Sequence, residues 1–218
     1  MNLVAASFAW PFRGGWQSRW AIGVVTVLLL PIGFIPLLGY AISATRSASL
    51  DPKPGPPPWV LSGRLLADGI WTSLAVLLLT APFVLALKPL SALVERAHLW
   101  NVGDQALSHF YANIAAGFLL ALPWGFVLLL LMPHATVRFA TTGKVRDLFD
   151  FPAAVRGVGS DFATWNLAAA AIVTAWALGL ACLGLLCVGV LPGIFYAILV
   201  SAHACAALHP QAANPPAG

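Results

Sequence analysis

His203 is the most chemically suggestive side chain in the sequence, set with Ser201 and Cys205 in the apolar run "PGIFYAILVSAHACAAL". An imidazole in such surroundings can relay protons or ligate a cofactor such as haem or chlorophyll. The simpler expectation is a side chain near a helix end, bonded to a backbone carbonyl or a lipid headgroup. Catalysis inside a membrane needs ionisable partners, and Asp and Glu are absent from the centre of every long apolar run. Asn113, Asn166 and His109 lie near the ends of such runs; the two asparagines are expected to form interhelical hydrogen bonds of about 1 kcal/mol or less. His98, His109 and His134 fall in or beside connections and receive no role.

Cys182, Cys187 and Cys205 all sit in apolar runs, outside any CxxC or Cys/His ligand spacing, and read as small apolar packing residues. No Gly-rich phosphate loop, HExxH, GxSxG or DxDxDG pattern occurs. The expectation is a protein that is not an enzyme, with no catalytic, cofactor-binding or metal-binding residues. "GVLPG", Gly189 to Gly193, satisfies GxxxG, and it is read as close packing of the last two apolar segments within the chain rather than as a dimer face. The 11 Lys and Arg are scattered, with no basic stripe, which argues against a nucleic-acid partner despite the net charge of +4. Residues 134–161 carry four basic and three acidic residues, short of the roughly 4–8 clustered basics of a polybasic lipid switch. With Val145, Leu148, Phe149 and Val155 at helical spacing, that stretch reads as an interfacial amphipathic connector.

The elements that hold these residues follow from composition. The 218 residues are 60% apolar and 8% charged, with a mean hydropathy of +0.88, against about 25% charged in soluble domains. The expected class is all-α, a polytopic integral membrane bundle whose first partner is the lipid bilayer, with other membrane proteins or self-association beyond it. Residues 1–208 are read as one transmembrane domain with apolar segments at 20–44, 65–87, 108–133, 162–186 and 188–208, and residues 209–218 as a disordered tail. The first run is longer than a signal-peptide core of about 7–15 residues, so the N-terminus is expected to be retained. Trp10, Trp16 and Trp20 are placed as interface anchors. "RSASLDPKPGPPPW", residues 46–59, reads as a stiff, solvent-facing linker. Lys88 and Pro89 are expected to close the second segment.

The first segment contains "LLLPIGFIPLLGY", with Pro31 and Pro36 inside it. Each proline removes a helical donor, and Gly33 permits a turn between them. Two arrangements remain open: a kinked single crossing, or a hairpin of short helices near 17–30 and 37–47 with its turn packed against other spans. A hairpin places the N-terminus, residues 45–64 and residues 134–161 on one side with nine Lys and Arg, leaving Lys88 and Arg96 on the other. By the positive-inside rule the 134–161 segment and the C-terminus are then cytoplasmic and the 88–107 connection external, in a cell membrane. That charge asymmetry favours the hairpin, giving four full spans plus a Pro-broken hairpin.

"FAWPFRGGWQSRW", the Pro-rich run ending in "LLGY" with Arg46 beyond it, "PPPW" leading to "LADG", "LFDFPAAVRGVGSDFATWN" and the final "PGIFYAILVSAHACAAL" together resemble a bacterial and archaeal family of multi-pass membrane proteins, domain of unknown function 4013. The resemblance spans nearly the whole chain and implies the architecture, with no catalytic residues to carry over. In that family the linker is acidic around Pro-x-Trp, whereas here Asp51 is the only acid before Asp68. The functional expectation is an accessory or scaffold membrane component acting through helix packing with partners. The alternative is a small transporter or channel-like protein built on broken helices, although its polar path would rest on only Tyr40, Thr72, Ser73, Thr80 and Thr174.

Overall fold

The two prolines of "LLLPIGFIPLLGY" end one helix and begin the next. In the computed structural model, which describes residues 2–97, 105–182 and 189–209, α2 runs Trp16–Leu28 and α3 runs Phe34–Leu50. Pro36 is the third residue of α3, in the first turn, where its missing N–H has no intrahelical acceptor to lose. The intervening turn satisfies its own backbone, with Leu29, Leu30, Gly33 and Phe34 all donating N–H groups to nearby carbonyls. Gly33 folds against the Thr26 carbonyl, too close for any side chain. The apolar tip of the turn stays open, with Ile32 86% exposed. That corrects the expectation of a turn packed against other spans. At 13 and 17 residues, the arms rise only about 20 and 26 Å, short of a ~30 Å hydrocarbon core.

The open ends of the hairpin are tied together. The Arg13 guanidinium donates to the Pro52 carbonyl (3.3 Å), and the Trp59 indole donates to the Arg19 carbonyl (3.0 Å) while its ring stacks on Tyr40 at 3.9 Å. The Tyr40 hydroxyl donates to the Pro57 carbonyl (2.8 Å). Gly55, at φ +82°, lies against the Arg13 backbone, a position that a side chain would block. The proline-rich linker is therefore tied to the hairpin around Gly55 and Pro56, which are buried, while residues 50–54 and Pro58 stay exposed. Two flanking aromatics, Trp59 and Tyr40, supply apolar surface that outweighs the linker's own polarity.

The remaining elements are α1 (Asn2–Ala9), a single 3₁₀ turn (Trp10–Phe12), α4 (Gly63–Arg96), α5 (Gln105–Thr142), α6 (Val145–Phe149), α7 (Phe151–Ser160), α8 (Phe162–Ala181) and α9 (Val190–Ala206). The chain forms two compact units: residues 1–73 with 131–218, and residues 74–130. In the first, α9 packs against α1, α2, α3 and α8. Its core joins Val27, Leu37, Tyr40, Leu65, Phe195 and Leu199 with Trp10. Trp10 is fully buried, so it is a core residue and not the interface anchor its type suggested, whereas Trp16 is partly exposed. In the second unit, α4 and α5 are joined by the Trp124 indole donating to the Thr80 hydroxyl (3.1 Å) and by a Glu95–His109 contact of 2.9 Å.

Glycines set the tightest approaches in the first unit. Gly39 of α3 lies on the Leu65 carbonyl of α4 and Gly69 of α4 lies on the Ile35 carbonyl. A Cβ at Gly179 of α8 would meet the Gly193 carbonyl of α9 at 2.7 Å, so the GxxxG glycine Gly193 serves packing inside the chain. Gly39→Ala is expected to cost about 1–3 kcal/mol, because the atom it strikes is backbone and not a movable side chain. A melting curve in detergent checks this; an unchanged midpoint would mean that α3 and α4 separate freely.

Three helices, α4, α5 and α8, are long and apolar enough to cross a membrane, at 34, 37 and 20 residues over the stretches that qualify. α9, with 17 residues, rises about 25 Å, less than each of these three. α4 runs on through Pro82 and Pro89 to Arg96, past the stop expected at Lys88–Pro89; each proline sacrifices one hydrogen bond without ending the helix. α7 turns inward through Ala154 and Val158, while Val155 is exposed. The expected disordered tail, residues 209–218, lies almost wholly outside the described residues.

Candidate functional site

Ionisable groups are few enough in this chain that each buried one needs a physical account. The glycine crossing of α3 and α4 brings Arg46 and Asp68 together, with Nη2 to Oδ2 at 2.9 Å and side chains 19% and 10% exposed. The same guanidinium donates from Nε to the Ala140 carbonyl of α5 at 2.7 Å. One planar fork thus ties three helices, a geometry suited to Arg and unavailable to Lys. By sequence Arg46 opens the proline-rich linker and Asp68 lies near the start of the apolar segment 65–87, with no local signal that pairs them. The available signal was Asp68 itself, the first acid after a 16-residue gap and one helical turn beyond Arg64 in a helix-forming run.

A second cluster closes the end of α5. Arg138 contacts Asp147 (3.3 Å) and Asp150 (3.4 Å), and the Thr142 hydroxyl donates to Asp147 Oδ2 (2.7 Å). Asp150 caps α7 by accepting the Ala153 N–H, which together with Arg138 holds its carboxyl below the ordinary carboxylate range. Asp161 caps α8 through Thr164, whose hydroxyl and N–H lower its carboxyl in the same direction. These acids are helix caps and ion-pair partners that orient α6 and α7.

His203 is buried and pairs with a residue that sequence reasoning missed, Ser7 of α1, at 2.9 Å between Oγ and Nδ1. The Ser7 hydroxyl also reaches the Leu3 carbonyl at 3.0 Å. With the imidazole proton on Nδ1, the contacts form one directed chain: Nδ1–H donates to Oγ and O–H donates to Leu3. A base that activates a serine must accept its proton instead. His203 also packs against the Trp10 ring at a centroid distance of 5.3 Å. The pair is a polar clamp between α1 and α9, replacing the carbonyl or headgroup partner expected for the imidazole. Neither residue is near the other in sequence, 196 positions apart, so no spacing motif could have found it. Ser7→Ala is expected to lower stability by about 1–2 kcal/mol by stranding the imidazole donor. The loss should concentrate in α1, seen as faster amide exchange there; unchanged exchange would leave the clamp without energetic weight.

The other candidates disperse. Asn113 donates to the His109 carbonyl of its own helix (3.0 Å) rather than across helices, and Asn166 is exposed. His134 is buried with its ring on Gly157. Ser201 Oγ is buried with no hydrogen-bond partner among the described residues. Cys205 is buried and Cys182 partly so; Cys187 and His98 lie outside the described residues. Among the described residues, no three His, Cys, Asp or Glu side chains group closely enough to hold a metal ion.

The arrangement joins a proline-broken hairpin, three long apolar helices and buried ionic ties between helices. Neither a curated protein nor a solved structure matches the chain. A family model described as a protein of unknown function, DUF4013, matches residues 22–188, from within α2 to beyond α8. Over three quarters of its length, the chain belongs to the DUF4013 family.

Proposed function

We propose that this protein is an integral, multi-pass component of the cell membrane that serves as an accessory or scaffold, presenting α4 and α5 laterally to the helices of partner membrane proteins. The carrying observation is how little these helices bury: the most apolar windows of α4 and α5 are 11% and 6% buried, against 33% for α8. Gly117 and Gly125 of α5 also have open space where a side chain would stand, with Ala121 exposed between them. In membranes such small residues let a second helix approach closely. In this reading the 134–161 segment and the C-terminus are cytoplasmic, α9 is a fourth, protein-sheathed crossing, and no hydrolytic chemistry is involved.

Cysteine crosslinking in native membranes tests the proposal. A cysteine at Ala121 should give a discrete crosslinked product, identified by mass spectrometry, that Gly117→Leu and Gly125→Leu abolish while the melting midpoint holds. Crosslinks only to lipid, or a product insensitive to both glycines, would contradict it. The transporter-like reading draws support from the broken helix pair α2–α3. Against it, Tyr40, Thr72, Ser73 and Thr80 are all occupied by internal hydrogen bonds.

A further inference from the structure

A pocket of about 360 Å³ opens where the end of α3, the start of α4 and the end of α5 meet the residues after α9. It is lined by Arg46, Arg64, His209, Ser49, Thr141 and Thr142, with Leu50 at its edge and no carboxylate among the described residues that line it. The hydroxyl protons in it are already committed: Ser49 donates to the Thr45 carbonyl (2.8 Å), Thr141 to the Val137 carbonyl (2.9 Å), and Thr142 to Asp147 (2.7 Å). The donors left for a ligand are guanidinium and imidazole N–H groups.

The two arginines differ in a way that matters. Arg46 is fixed by Asp68 and by the Ala140 carbonyl, and its charge is balanced. Arg64 makes no hydrogen bond or ion pair among the described residues, is exposed, and lies beside Gly143 at the tip of α5. It also lines a neighbouring pocket of about 250 Å³ with Arg46, Ser43, Ser62 and Asp68, whose carboxylate is taken up by Arg46. The pocket therefore holds one fixed and one unpaired guanidinium, with the excess charge positive. Planar, forked donors of this kind match phosphate oxygens.

We propose that this pocket binds a phosphate group, with Arg64 as the principal ligand and Arg46 as a fixed donor at its side. The chemistry is the same for the phosphate of an anionic lipid headgroup and for a soluble phosphate. Of the two, the headgroup is favoured by Leu50, 82% exposed at the pocket edge, where an acyl chain would leave. The site goes beyond the scaffold reading and stands without it, since its residues lie on α3, the start of α4 and the end of α5 rather than on the lateral faces that would meet partners.

The test uses the full chain in two settings. In nanodiscs of phosphatidylcholine with phosphatidylglycerol added, native mass spectrometry should show phosphatidylglycerol retained preferentially. In detergent, inorganic phosphate should raise the melting midpoint more than chloride at matched ionic strength. Arg64→Gln should weaken whichever binding is seen about tenfold. Arg64→Lys should restore part of it, and Arg156→Gln on α7 should leave it unchanged. Retention of the lipid alone identifies a headgroup site; a response to inorganic phosphate alone identifies a soluble phosphate compound; both results support the pocket. Binding that is indifferent to Arg64→Gln in a protein of unchanged melting midpoint would overturn the proposal. So would the absence of binding in both settings.

Discussion

Asp68→Ala is expected to cost about 3–5 kcal/mol of stability, one of the two largest effects of any single substitution considered for this chain. The carboxylate balances Arg46 at 2.9 Å, with both side chains largely withdrawn from solvent. Removing it strands a guanidinium that the Ala140 carbonyl satisfies only in part. The fifth of Arg46 that remains exposed places the cost toward the lower end of that range, since water screens what it reaches. Replacing both partners by apolar residues, Arg46→Met with Asp68→Leu, should recover most of the loss, because the penalty comes from an unpaired charge and not from a missing attraction. Unfolding by graded denaturant in detergent measures both variants. A single substitution costing under about 1 kcal/mol would class the pair with surface ion pairs.

Tyr40→Ala should rank close behind, at about 3–5 kcal/mol, because the ring is wholly buried and stacked face to face on Trp59. Tyr40→Phe, which forfeits only the bond to the Pro57 carbonyl, should cost about 1 kcal/mol. The two losses differ in location as well as size. With the ring gone, Trp59 loses its platform and the linker lifts from the hairpin, so limited proteolysis should begin cutting at residues 51–58. Resistance equal to the wild type would show that the Arg13 and Arg19 contacts hold the linker unaided.

Local chemistry made the helical class, the hairpin and the family legible in the sequence. Pro31, Gly33 and Pro36 act on their own backbone, so the break they create at residues 29–33 could be read without knowing any neighbour. Long-range pairing was not legible. Ser7 and His203, Arg46 and Ala140, and Trp59 and Arg19 lie 196, 94 and 40 positions apart, and the α3–α4 and α8–α9 crossings rest on glycines at 39, 69, 179 and 193. Those glycines look alike in sequence whether they face lipid or another backbone. Trp10 was misread for a related reason: an aromatic residue suits an interface by type, yet here it joins the buried core. Pro89 failed as a stop signal because an apolar stretch continued on its far side and a helix forgoing one hydrogen bond still bonds the rest of its backbone.

The first segment is expected to return to the side of the membrane from which it starts. The direct measurement is the accessibility of single cysteines, placed in a cysteine-free chain at Gln17, Lys53 and Ala97, to an impermeant thiol reagent in sealed vesicles. All three positions are exposed in the fold. Gln17 and Lys53 should be modified from the cytoplasmic side, together with a cysteine at Ser160, and Ala97 from the opposite side. Modification of Gln17 and Lys53 from opposite sides would make residues 20–44 a single crossing and contradict the account.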